Sequence, residues 1–362
     1  MDTATTPTAN APGPETADAT RTAELLADAA VVRWWQTTAV LDVSGPDALT
    51  LVDGLCTQAV TRLEPGTARL GLFLDAKAHV IAAAILHRHA DAPWTDPRSG
   101  AVIDDAPVLR VELLPEQVEP LRAHLTRYRL RARVSIEATD LASIAVVGGG
   151  AERLSLPQPD PRDGEWTRFV SGLATMRPTV TFVGTAAAAR RLVQQQLPAL
   201  GLPGAAPDAL EADRIAAGIA GLHDLLVGRM PAEVGGMADA VALDAGCYLG
   251  QEPVVRLHYR GRANRSLRRV RAQTAVSLAP GAQPDDEEPF ALRRIDDDPS
   301  ARPVGRLTTW ATDVDGSTVA LALLRRELEA GDTLALAGTE HRFTVVDGGE
   351  SETPAESGDD AG

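Results

Sequence analysis

The run "DAGCYLGQE", residues 244–252, holds Cys247, one of two cysteines in 362 residues. A cysteine thiolate can attack an electrophile, exchange with a disulfide or ligate a soft metal ion. Two backbone readings compete for the residues that follow, 251–261. As a strand they would place Arg256, His258 and Arg260 on one face. As a helix, the preferred reading, Pro253 lies near the start, Glu252, Arg256 and Arg260 form an i, i+4 stripe, and Gly261 takes the C′ position. Cys247 then lies within about a turn of the helix N-terminus, where unpaired N–H groups and nearby arginines favour thiolate over thiol. Gly246 and Gly250 would let the backbone turn tightly or approach a ligand closely. The competing reading makes Cys247 a small buried hydrophobe. Core packing is an adequate account of the other cysteine, Cys56, in "DGLCTQA" on an apolar helix face.

The stretch 256–271, "RLHYRGRANRSLRRVR", carries seven arginines in 16 residues. It reads either as a solvated face or as a wall for anions, since guanidinium forks match carboxylates and phosphates. The formal net charge of −15 argues against non-specific binding to nucleic acid or an anionic membrane, so a small anionic ligand is the expected partner. The two cysteines match no metal-ligand spacing or disulfide framework and fit a reducing cytosol. No run of 18 apolar residues exists, so no membrane span is expected.

The elements that must position these residues read as mixed α+β modules followed by an all-β module. Strands are expected in "TTAVLDVSG", "TARLGLFLD", "HVIAAAILHRH", "VLRVELL", "RARVSIEA", "ASIAVVG" and "ATMRPTVTFVG". Helices are expected in "GPDALTLVDGL", with Ser44 and Asp47 as candidate caps, in 115–130 opened by Pro115, in "TAAAARRLVQQQLPAL" and in "DALEADRIAAGIAGL". From about residue 265, six short apolar stretches separated by turns predict a small barrel or sandwich. The ends, 1–28 and 348–362, are expected to be disordered tails, the second of them acidic.

The motif around Cys247 resembles the signature of the YgfZ family, related to the aminomethyltransferase (T-protein) of the glycine cleavage system. Residues 246–252, "GCYLGQE", match without a gap, and Arg256 and Gly261 fall in place. "VSGPDALTLVDGLCTQAV", "LFLDAKAHV", "ALEADRIAAG" and "PVGRLTTW" are similar to flanking parts of that family. The resemblance implies an α+β, three-domain cloverleaf around a central opening, with a C-terminal antiparallel β-barrel. The expected segments are 29–135, 136–243 and 244–347, with the first and third sharing one domain. It implies a folate-binding accessory protein in assembly or repair of [4Fe–4S] proteins, tRNA-modifying enzymes among them. Cys247 would be the essential thiol, and tetrahydrofolate or a derivative the cofactor. Candidate folate contacts are Tyr248, Gln251, Glu252, Arg256 and Arg214, with Gly246, Gly250 and Gly261 as motif glycines and no metal site. The implied partners are iron–sulfur client or carrier proteins, with no direct nucleic acid or membrane contact, for a cytoplasmic monomer. The alternatives are an aminomethyltransferase-like one-carbon transferase and a non-catalytic folate-binding scaffold. Three positions depart from the pattern: Ala245 replaces a lysine, Ala78 a turn glycine, and Ala216 a glutamate found in relatives.

Overall fold

The computed structural model describes residues 17–27, 32–35, 38–151, 166–171, 179–227, 230–234, 240–276, 290–295 and 302–346. The first body is a five-stranded antiparallel sheet of β2 (Ala39–Ser44), β3 (Ala68–Leu74), β4 (Val80–Thr95), β5 (Val102–Leu113) and β6 (Ser135–Ala138), in the order β3-β4-β5-β2-β6. Helices α2 (Ala48–Asp53) and α3 (Val118–Arg129) cover one face. In α3 the i, i+4 pair Leu121 and Leu125 is buried, and Pro115 opens the preceding 3₁₀ turn where its missing N–H costs nothing. Asp47 is the N-cap of α2 by position only. Its carboxylate accepts from the Arg133 backbone N–H at 2.8 Å instead.

A second sheet has the order β1-β7-β9-β8: β1 (Val32–Trp35), β7 (Leu141–Val147), β9 (Thr179–Thr185) and β8 (Trp166–Ser171). A helix packs on it as α4 (Ala186–Arg191), capped by the Thr185 hydroxyl, then a π turn, Leu192–Gln196, and Leu197–Ala199. Phe169 and Val183 of this sheet meet Val40, Ala68 and Ile85 of the first. Linker helices α5 (Pro207–Ala216) and α6 (Leu222–Val227) follow, then α7 (Gln251–Arg260).

Six strands then close an antiparallel barrel in the order β10-β13-β12-β11-β14-β15: β10 (Arg265–Ala272), β11 (Ala291–Arg294), β12 (Gly305–Thr312), β13 (Thr318–Arg325), β14 (Thr333–Leu336) and β15 (Arg342–Val345). Each of the six expected stretches overlaps one of them, with β10 beginning three residues earlier. Alternation along β13 sorts the faces. Ala320, Ala322 and Leu324 point into the barrel, whereas Val319 and Leu321 point out against Ala212 and Ile215 of α5.

Three expectations on domain limits need correction. Part of the supposed N-terminal tail is a helix, α1 (Ala19–Ala27), whose Thr22 and Leu26 are buried. Leu26 joins Ala145, Val147, Ala205 and Leu210, so the helix is held by an apolar cluster that composition alone did not reveal. β1, expected in the first segment, pairs with β7 of the second sheet, and β6, which crosses the expected boundary at 135, pairs with β2 of the first. Residues 1–16 and 347–362 lie outside the described residues. Leu26→Ala should cost about 2–4 kcal/mol for the lost burial and the cavity it leaves. Urea denaturation checks this, and an unchanged midpoint would show that α1 is not part of the core. Among the described residues no helix is long and apolar enough to cross a membrane, and no group of three or more His, Cys, Asp or Glu is placed to hold a metal.

Candidate functional site

The segment Ala240–Gly250 returns to the first sheet and is stitched to the chain just after α2. The Ala242 N–H donates to Thr57 O at 2.8 Å, the Thr57 hydroxyl donates to Ala240 O, and the Leu249 N–H donates to Gly54 O at 3.0 Å. Arg62 forks onto the Asp244 carboxylate and carbonyl, at 2.6 and 3.1 Å. Tyr248 and Val254 complete an apolar cluster with Leu70, Leu72, Leu74 and Leu225. This segment therefore packs on the first body.

Residues 251–260 are a helix, α7, and its N-cap Gly250 has φ 82°. A Cβ there would lie 2.5 Å from Asp75 O, against the β3–β4 turn. Gly250→Ala combines left-handed strain of about 1–2 kcal/mol with that clash, so a loss of about 3 kcal/mol in thermal unfolding is expected; a loss below 1 would remove the steric argument. In the same turn Ala78 holds φ 64°, the conformation suited to the glycine it replaces. The other two motif glycines behave differently. Gly246 has only Asp53 Oδ2 within 4 Å of a built Cβ, at 3.7 Å, so a close approach does not explain it. Gly261 is extended at φ −129°, not left-handed as the C′ reading required; it is tight because a Cβ would meet Leu257 Cδ1 at 2.5 Å.

Within this frame Cys247 is exposed, three residues before the N-cap, on a loop closed by Gln251. The Gln251 side chain donates to Gly246 O at 3.3 Å and its N–H to Tyr248 O at 3.2 Å. Cys56 is the opposite case. It follows α2 instead of lying on it, bridges to Phe73, and is fully buried, which pushes its thiol up to about 12. Iodoacetamide should therefore modify one thiol per native chain, Cys247, and reach Cys56 only after unfolding. Intact mass before and after denaturant checks this, and prompt double labelling would contradict the burial.

The expected folate contacts do not converge. Tyr248 is buried among the leucines, its Oη has no hydrogen-bond partner among the described residues, and burial followed by Cys56 pushes it up to about 12. Glu252 and Arg256 are exposed on α7 and make no ion pair among the described residues. Arg214 is buried in a network with Asp224 (2.9 Å), Glu211 (2.6 Å), Ile219 O and the Thr309 hydroxyl (3.2 Å), none of them a signature residue. Of the seven clustered arginines, Arg268 donates to Leu328 O, Arg269 to Ala216 O, and Arg271 pairs with Asp313 and Asp315.

A cleft of about 680 Å³ lies between the β3–β4 turn, the 3₁₀ turn Pro231–Glu233 and one end of the barrel. His79, Met230, Glu233, Asn264, Arg265, Arg325, Arg326 and Glu327 line it. The turn is rigid: the Asp75 carboxylate accepts the N–H groups of Lys77 and His79 and faces His79 Nδ1 at 3.1 Å. Slight burial works to raise Asp75, but these donors outweigh it and hold the carboxyl below its usual range. Gly250 thus backs the turn whose His79 faces the cleft, which is how the signature reaches it. Sequence reading missed Arg325 and Arg326, and found Arg265 only as one member of a run. Their common signal, arginine at strand ends, acquires meaning only once the barrel closes.

No protein-family model matches the sequence, and no curated protein matches it. Among solved structures, glycine cleavage system aminomethyltransferase T from Bartonella henselae is similar, with a TM-score of 0.66 and 15% identity, over 92% of this chain and 90% of that one. At that identity the likeness is one of architecture. The chain has the mixed α and β fold of aminomethyltransferase T, ending in a closed six-stranded antiparallel barrel.

Proposed function

We propose that this chain is a folate-binding accessory protein in the assembly or repair of [4Fe–4S] proteins, tRNA-modifying enzymes among them, acting through the Cys247 thiol. The observation that carries the reading is the presentation of that thiol. It is exposed on a loop tied to Gly54, Thr57 and Arg62, while the other cysteine is sealed in the core. One thiol cannot hold a cluster alone, because four ligands are the norm. Cys247 therefore works together with the sulfurs of a client or carrier protein.

The cleft fits a folate on its chemistry. Its volume of about 680 Å³ is within the usual range of ligand sites. Arg265, Arg325 and Arg326 suit the carboxylates of the glutamate tail, and Glu233 and Glu327 can accept from pterin N–H groups. When bound, tetrahydrofolate supplies a one-carbon carrier. The contacts assigned from the resemblance to Tyr248, Gln251, Glu252, Arg256 and Arg214 pass to these cleft residues. Gln251 instead holds the thiol loop.

Deleting the gene should lower [4Fe–4S] enzyme activity and thiolated tRNA under oxidative stress, and unchanged levels would overturn the reading. The likeness in fold to an aminomethyltransferase favours a second reading, one-carbon transfer to tetrahydrofolate. The purified protein separates the two: it should bind reduced folate yet form no methylene-tetrahydrofolate from glycine with lipoyl carrier protein, and robust formation would favour the transferase.

A further inference from the structure

We propose that the end of the barrel facing the cleft binds a small polyanion, a ligand with two or more carboxylate or phosphate groups, held by Arg265, Arg306, Arg325 and Arg326. Strand register brings them together. Arg265 stands directly opposite Arg325 in the β10–β13 pair, and Arg306 is opposite Leu323, two positions from Arg325 on the same outer face. The Arg326 N–H donates to Asn264 O at 3.0 Å, which sets that residue beside the first three.

Like charges directly opposite one another in an antiparallel pair repel and destabilise it. Carboxylates are plentiful here, with 50 Asp and Glu against 35 Lys and Arg. Among the described residues, however, only Arg325 has a carboxylate within 4 Å, Glu327 at 3.7 Å. In the same β10 strand Arg271 has two, Asp313 and Asp315. Arg306 is half-buried, and burial first and Arg265 second push its guanidinium below the ordinary value. The cleft's own carboxylates, Glu233 and Glu327, leave the arginines in excess. Arg265, Arg325 and Arg326 line the cleft with Arg306 beside them, and a cation cluster in excess of its carboxylates is the complement of an anion. Each guanidinium fork can take one oxyanion group in bidentate fashion, so a single carboxylate would leave most of the cluster unsatisfied. The inference goes beyond the folate reading, since it holds whether or not a pterin enters the cleft.

The test is calorimetric titration of the full chain at low salt with tripolyphosphate, penta-γ-glutamate and acetate, alongside a pterin without a glutamate tail. At least one polyanion should bind at least tenfold more tightly than acetate, and added salt should weaken it. The pair identifies the source of the anion, phosphate or glutamate tail. Arg265→Gln/Arg325→Gln should reduce that affinity at least tenfold, whereas Arg271→Gln should not. Because the double variant removes a repulsion, its ligand-free thermal midpoint should be equal to or above that of the wild type, which separates lost binding from lost folding. Failure of both polyanions to bind, or equal binding by the double variant, overturns the inference. Binding of the tail-less pterin alone leaves the folate reading standing and removes this one; binding of polyanions alone does the reverse.

Discussion

Cys247→Ser should fail to restore [4Fe–4S] enzyme activity to a deletion strain, leaving it at the level of the empty vector. Serine is slightly smaller but the position is exposed, and the stitches at Ala242, Leu249 and Gln251 all use backbone or amide groups. The hydroxyl, however, is a far weaker nucleophile and soft-metal ligand than a thiolate. Thermal midpoint and folate binding should therefore match the wild type. Cys56→Ser should behave in the reverse way. It buries a hydroxyl in the core of the first body, at a cost of about 1–3 kcal/mol where no partner is found, and still restores activity. If Cys247→Ser complements as well as the wild type does, the thiol has no role and the proposed function loses its mechanism.

Arg214→Leu should lower stability by about 3–5 kcal/mol, because it strands a buried carboxylate. Asp224 is fully buried and gathers the Arg214 guanidinium, the Gly221 N–H at 2.8 Å and the hydroxyls of Thr308 and Thr309. Burial opposes the Arg214 charge, yet Glu211 and Asp224 outweigh it and hold its guanidinium above the ordinary value. The network spans α5, α6 and β12, so its loss should loosen the barrel from the linker helices. A fall in thermal midpoint of about 10 °C is expected for this size of loss. Arg214→Leu/Asp224→Leu should regain only part of it, since Thr308, Thr309 and Gly221 then lose an acceptor. A single variant within 1 kcal/mol of the wild type would show that the pair contributes little.

The barrel was the most legible part of the chain, because stretches such as "STVALALLR" combine β-branched residues with sharp turns at both ends. α7 was legible too: Pro253 near its start and the Glu252, Arg256, Arg260 spacing fit one helical turn after another. β1 and β8 were missed because "VRWW" and "WTRFVS" are short, and β1 pairs with a strand distant in sequence, β7. α1 was hidden in an Ala- and Thr-rich context, where its single buried leucine gives no periodic stripe. For the site, the place of Cys247 just before a helix could be read locally, whereas the contact that crowds Gly250 comes from Asp75 in a distant segment. The ligand wall could not: Arg265, Arg306 and Arg325 become neighbours only through strand register. The long arginine run, which looked like that wall, is divided among the barrel end, a linker carbonyl and two aspartates.

The return of Tyr248 and Val254 to Leu70, Leu72 and Leu74 has a consequence during synthesis. Strand β3 leaves the ribosome with its Leu70, Leu72 and Leu74 side uncovered, and the lid for that side is encoded some 180 residues later. At ribosomal speeds of about 5–20 residues per second, that face waits roughly 10–40 s. The nascent chain must therefore stay partly open until the thiol-bearing loop has been made, a topology of high contact order that slows folding and exposes it to aggregation. In this protein the loop that presents Cys247 is also the last piece of the first body's core, so a chain stalled before residue 247 should lack both the reactive group and a finished first body.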